Sequence, residues 1–115
     1  MDPYKYFQMA ADVAVRRKDT REHKIGAVGL RKDGAIVLSA NGSVRGAGKF
    51  PVSHAEVRLS RKLDVGSTVF VCRVAGFGNW LLAKPCPNCE RTLKRRGVRR
   101  VYYTIYNSEY GVIEL

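Results

Sequence analysis

Pro85-Cys86-Pro87-Asn88-Cys89-Glu90-Arg91-Thr92-Leu93-Lys94-Arg95-Arg96-Gly97 decides how this chain is read. Two thiols stand three positions apart where a proline-bounded loop gives way to a helical run. The spacing predicts a helix over Pro87–Arg96 that stops at Gly97, the residue that tolerates the left-handed backbone of a helix C-terminus. Upstream stands His54-Ala55-Glu56, opening a second predicted helix over His54–Leu63 with Ser53 as its N-cap. Together the two stretches offer one imidazole, two thiolates and one carboxylate. Three soft-to-borderline ligands, His54, Cys86 and Cys89, suit one Zn²⁺ and leave a coordination position open for water. Cys72 and His23 are the spare candidates for a fourth ligand, and neither stands in a ligand pair. Zinc brings the pKa of bound water to about 7. Glu56 is then placed to move a proton rather than to bind metal. This pattern reads as a hydrolytic zinc enzyme.

The elements around the two motifs follow from periodicity and turn chemistry. Asp2 and Pro3 open a helix whose Tyr6, Phe7, Ala10, Ala11, Ala14 and Val15 recur at near-helical spacing, up to the basic Arg16-Arg17-Lys18. Apolar runs over Ile25–Arg31 and Ala35–Ala40 flank Asp33-Gly34, a strong hairpin signal. Thr68–Val74 reads as a short buried strand, Ala75–Lys84 as a loop and Val98–Tyr106 as the next strand. Only Asn107-Ser108-Glu109-Tyr110-Gly111 separates that strand from Val112-Ile113-Glu114-Leu115. A parallel partner needs a crossover of a dozen or more residues, so a fifth strand here must run antiparallel. The order predicts one α/β domain over residues 1–115: a three-layer α/β/α sandwich on a mixed five-stranded sheet ending in an antiparallel hairpin. Each metal motif sits where a loop enters a helix, so two helix N-termini point at one zinc.

His54, Glu56, Pro85, Cys86 and Cys89, in that order, resemble the signature of the zinc-dependent cytidine/deoxycytidylate deaminase superfamily. In its short length the chain is also similar to the small deaminase-like proteins of bacteriophages. The resemblance implies a cytidine deaminase-like fold with one Zn²⁺ per chain. It also implies a hydrolytic deaminase that converts cytidine or deoxycytidine, or their monophosphates, to the uridine species with release of ammonia. Residue by residue, it places Asn41 against the ribose, where a turn role is the other reading. Gly26-Ala27-Val28 resembles one wall of the base pocket, with Ala27 as its lining residue and a core role in either case. The backbone N–H groups of Ala55 and Cys86 would fix base and hydroxide, and the carbonyl of Lys84, before Pro85, would receive the departing amino group. Phe77 and Trp80 are candidate pocket covers or loop anchors. The C-terminal hairpin resembles the branch acting on free cytidine, whereas His54 as the imidazole ligand resembles the deoxycytidylate and nucleic-acid branches. Members of the superfamily commonly assemble as dimers, tetramers or hexamers, so homo-oligomerisation is part of the expectation.

Charge bears on the substrate. Lys and Arg number 21 against 10 Asp and Glu, a formal net charge of +11, and the pI is about 10.0. That balance favours phosphates or polyanions. Arg91, Lys94 and Arg95 share one helix face at i, i+3, i+4. They are read as a solvated surface, as contacts to single-stranded nucleic acid, or as a nucleotide phosphate site. Tyr102, Tyr103, Tyr106 and Tyr110 are read as base-stacking residues or, for alternating aromatics on a strand, as packing. Three readings of function remain in play: the free nucleoside or nucleotide deaminase, a deaminase of cytosine or adenine in single-stranded DNA or RNA, and a non-catalytic zinc-stabilised nucleic-acid-binding module. Glu56 speaks against the last, since a structural zinc does not use it. No apolar run approaches a membrane span, the start of the chain lacks a secretory pattern, and three Cys without a disulfide framework predict the cytoplasm.

Overall fold

The computed structural model describes residues 2–16, 24–40, 55–75 and 78–115. Its elements run α1 (Pro3–Arg16), β1 (Lys24–Leu30), β2 (Ile36–Ala40), α2 (Ala55–Ser60), β3 (Thr68–Val74), β4 (Trp80–Leu81), α3 (Pro87–Arg96), β5 (Arg100–Tyr106) and β6 (Glu109–Glu114). The main sheet order is β2-β1-β3-β5-β6, with β4 paired to β3. β1 lies antiparallel to β2 and β3, β3 parallel to β5, and β6 antiparallel to β5. The five-stranded mixed sheet and its terminal hairpin are therefore as expected. The difference is β4, two residues inside the predicted loop.

Local chemistry sets the element ends. The Asp2 carboxylate accepts from the Tyr4 N–H at 3.1 Å, capping α1. Between β1 and β2 the Asp33 carboxylate accepts from Ala35 N–H at 3.0 Å, and Gly34 takes φ 91°. α3 ends at Gly97 in the left-handed region, whose N–H donates to Lys94 O at 3.0 Å, while Val98 N–H donates to Leu93 O. α2 is shorter than predicted, because after Ser60 the chain turns through Arg61 and Lys62.

Strand alternation divides the core into two layers. Phe70, Cys72 and Val74 of β3, Val28 of β1 and Tyr102 of β5 pack against Phe7, Ala10, Ala11 and Ala14 of α1. Val69, Val71, Ala27 and Val101 pack on the other side with Ala55, Leu59 and Leu63, and with Leu93 of α3. Tyr6, Phe70 and Tyr102 form one stack, with centroids 4.6 and 4.9 Å apart. Of the four tyrosines near the C-terminus, Tyr102 is thus core and Tyr103 packs against the opposite layer, whereas Tyr106 and Tyr110 are exposed. Gly26 permits the closest approach of helix to sheet: a Cβ there would lie 1.8 Å from the carbonyl oxygen of Ala10.

Candidate metal and catalytic site

α2 and α3 pack side by side on the face of the sheet opposite α1, and this pairing brings the two sequence motifs together. Cys86 is the N-cap residue of α3 in extended backbone, and Pro87 occupies the first turn. Its carbonyl accepts the first helical bond, from Glu90 N–H at 3.0 Å. Its sulfur makes no capping hydrogen bond to the backbone and lies instead 3.3 Å from Cys89 Sγ, one turn along the helix. Cys89 is fully buried. Glu56, in the first turn of α2, is 5% exposed and reaches Cys89. Burial, the Glu56 charge and the hydrogen bond from Cys86 all push the Cys89 thiol pKa up, in that order of size.

The donor set carries its own test of fit. Two sulfurs in contact and a buried carboxylate oppose one another's ionisation, so the cluster gains most from a cation that two thiolates can share. Zn²⁺ meets that need with ligands of this softness. Cys86 and Cys89 are positioned to hold it. His54 immediately precedes the first residue of α2, and it lies outside the described residues together with Asn41 and Phe77.

The loop that delivers Cys86 is held by residues that sequence reasoning passed over. β3 and β5 pair from Thr68–Arg100 to Val71–Tyr103, and β4 then pairs with Arg73 and Val74 of β3. Buried Thr104 holds the junction: its hydroxyl donates to Leu81 O at 2.7 Å, and its carbonyl accepts from Ala83 N–H at 2.9 Å. Asn107 Oδ1 accepts from Trp80 N–H at 2.7 Å. The one signal for Thr104 was a hydroxyl in an otherwise apolar and aromatic strand.

The remaining expected positions divide by layer. Ala55 and Ala27 are fully buried in the α2–α3 layer, on the same side as the cysteines, and Pro85 is buried while Lys84 is exposed. Trp80 is placed elsewhere: its ring packs in the α1-side cluster, 6.1 Å from Phe7, which fits the loop-anchor reading. Arg91, Lys94 and Arg95 are exposed on α3.

The three-layer α/β/α sandwich thus brings two thiols and a buried carboxylate together at two helix starts. The chain matches the family model for the cytidine and deoxycytidylate deaminase zinc-binding region over residues 2–105. It belongs to that family, and Zn²⁺ is its cofactor. Its fold is shared with the cytidine deaminase of Burkholderia pseudomallei, at TM-score 0.75 and 17% identity, over 99% of this chain and 93% of that one. The cytidine deaminase of Mycobacterium leprae is similar at TM-score 0.66 and 17% identity, covering 97% and 93%. That of Mycobacterium tuberculosis follows at 0.61 and 22%, covering 90% and 85%. No curated protein sequence matches the chain.

Proposed function

We propose that the protein hydrolytically deaminates cytidine or deoxycytidine, or their monophosphates, to the uridine species, with Glu56 as the proton carrier. The observation that carries this reading is the buried Glu56 carboxylate at Cys89. A purely structural zinc has no use for an acid there, whereas a hydrolytic one requires it. His54, Cys86 and Cys89 would hold the zinc, which would supply hydroxide near neutral pH. Glu56 accepts the proton of the attacking water and delivers it to N3 of the base as C4 becomes tetrahedral. It then takes the proton of the new C4 hydroxyl and passes it to the amino group, which leaves as ammonia as the C4 carbonyl forms. One carboxylate serves all these transfers because the proton sites lie within a single small pocket.

The backbone N–H of Ala55 and that of Cys86, both at helix starts, are suited to orient the base and the developing negative charge. Ala27 supplies a small wall on the same side of the sheet, and the Lys84 carbonyl, fixed by Pro85, is the acceptor for departing ammonia. Asn41 is assigned to the ribose. All three cysteines are free thiols, which suits a reducing compartment such as the cytoplasm. Among the described residues no helix is long and apolar enough to cross a membrane.

The test is ammonia release from zinc-loaded protein offered cytosine, cytidine, deoxycytidine, their monophosphates, adenosine and a single-stranded oligonucleotide. Turnover of a free cytosine nucleoside or its monophosphate is the expected result. Efficient turnover of the oligonucleotide with little turnover of free cytidine would overturn the assignment.

A further inference from the structure

Among the described residues, positive charge is unevenly placed. The α1 segment, Asp2–Arg16, carries Lys5 and Arg16 against Asp2 and Asp12 and is neutral. The opposite layer is not: residues 55–63 and 87–99 carry eight Lys and Arg against Glu56 and Glu90, and Glu56 is buried beside the cysteines. Cys89 and Leu93 turn α3 toward the core, which leaves Arg91 and Arg95 pointing away from it and Lys94 beside them.

The basic groups form one surface because the two helix ends are joined. The Arg96 guanidinium donates to Leu63 O at 3.0 Å and to Arg61 O at 3.4 Å. Arg91 donates to the Asn88 amide oxygen. These acceptors are neutral, so the charge is not cancelled. Among the described residues, none of Arg61, Arg91, Lys94, Arg95 and Arg99 lies within ion-pair distance of a carboxylate. By contrast, Arg31 and Arg100 are matched by Asp33, Asp64 and Glu114. The exposed aromatics among the described residues, Tyr4, Tyr106 and Tyr110, belong to α1 and the β5–β6 hairpin.

We propose that the outer α2–α3 face binds the phosphodiester backbone of nucleic acid without regard to sequence. Guanidinium and ammonium groups outnumber the carboxylates of Glu90 and Glu114, which line a groove with Arg91 and Lys94, and such an excess suits a line of phosphates. With no exposed aromatic among the described residues of the face, unpaired bases gain no stacking platform from them. Affinity then follows charge density, and duplex, with one charge per about 1.7 Å of axis, binds at least as tightly as single strand. This surface is separate from the deaminase reading, since its occupancy is measured without turnover.

The experiment titrates zinc-loaded full-length protein into a fluorescent mixed-sequence duplex and its isolated single strand, following anisotropy across a salt series. Five phosphate contacts at about 0.9 each predict a log–log salt slope of roughly −4.5 on duplex. Arg91→Glu/Lys94→Glu/Arg95→Glu should weaken duplex binding at least about tenfold and flatten the slope by roughly 3. Single Arg95→Gln, a milder change checked for zinc content, should flatten it by about 1. Lys5→Glu on the neutral layer should leave affinity within about twofold. Binding confined to the single strand would overturn the proposal, as would binding indifferent to the α3 changes in folded protein. Capture by phosphatidylserine vesicles with none by nucleic acid would do the same.

Discussion

Glu56 and Cys89 illustrate how much a single contact decides. A carboxylate and a thiol buried together raise the cost of ionising the thiol, so the same pair that suits a divalent cation is strained in charge without one. Glu56→Gln keeps the volume and removes the proton carrier. It should yield folded protein with full zinc content by elemental analysis, and turnover lower by about 10²–10⁴-fold. A wild-type rate would place the proton shuttle on another group. Cys72 is a second residue whose surroundings speak, though for stability alone. Burial under α1 pushes its thiol from 9.0 up to about 12, partly offset by the Thr104 hydroxyl. Below pH 9 both folded and unfolded chains hold that proton and nothing changes. Between 9 and about 12 the unfolded chain releases it while the folded chain retains it, so stability falls as pH rises through that window. Urea unfolding on either side of pH 9 should show the loss, and Cys72→Ala should lose less over the same interval.

Elements in this fold are positioned by close approach more than by propensity. α1 descends onto β1 at Gly26, where any side chain meets backbone rather than a yielding rotamer. Gly26→Ala should therefore cost about 3 kcal/mol or more, above the usual range for an added methyl group in a core. Gly34→Ala makes the useful comparison. Its φ of 91° strains an alanine, but nothing lies within 4 Å of the added carbon, and the expected cost is about 1–2 kcal/mol. Denaturant midpoints of the two variants should rank in that order, and an equal cost would mean that α1 gives way freely. The β4 segment is positioned differently, by hydrogen bonds from Thr104 and Asn107, which hold the approach to Cys86.

The whole molecule depends on joining two helices that the chain places far apart. Cys86 and Cys89 belong to α3, and His54 adjoins α2, so a cation held by all three would clamp the layer. Zinc present at about a thousandfold over its dissociation constant contributes about 4 kcal/mol. Its removal by chelator should lower the melting temperature by about 10 °C or more, with recovery on adding zinc and none on adding magnesium. Zinc affinity should also fall as pH falls, since binding requires the thiols to lose their protons.

Periodicity and turn chemistry located every helix and strand except β4, with α2 predicted too long. Pro87 and Gly97 bounded α3, Asp33-Gly34 set the β1–β2 hairpin, and the few residues left after Tyr106 required β6 to turn back on β5, although β6 begins at Glu109, earlier than the predicted Val112. Spacing likewise put forward Glu56, Cys86 and Cys89 as the candidate site, because ligand chemistry constrains residue type as well as interval. These are local properties, written in neighbouring residues. Long-range placement was another matter. Trp80 and Phe77 looked alike as aromatics in one loop, yet the pairing of Trp80 with Val74 puts its ring on the α1 side. β4 itself forms only because β3 and β5 offer it unpaired backbone where they part, a condition met by strands distant in sequence. The tyrosines of β5 and β6 divided into core and surface according to which layer covered them. The basic residues of α3 became a surface only when the Leu63 and Arg61 carbonyls received Arg96. Charge is carried by the sequence, but its concentration on one face depends on which helices pack together.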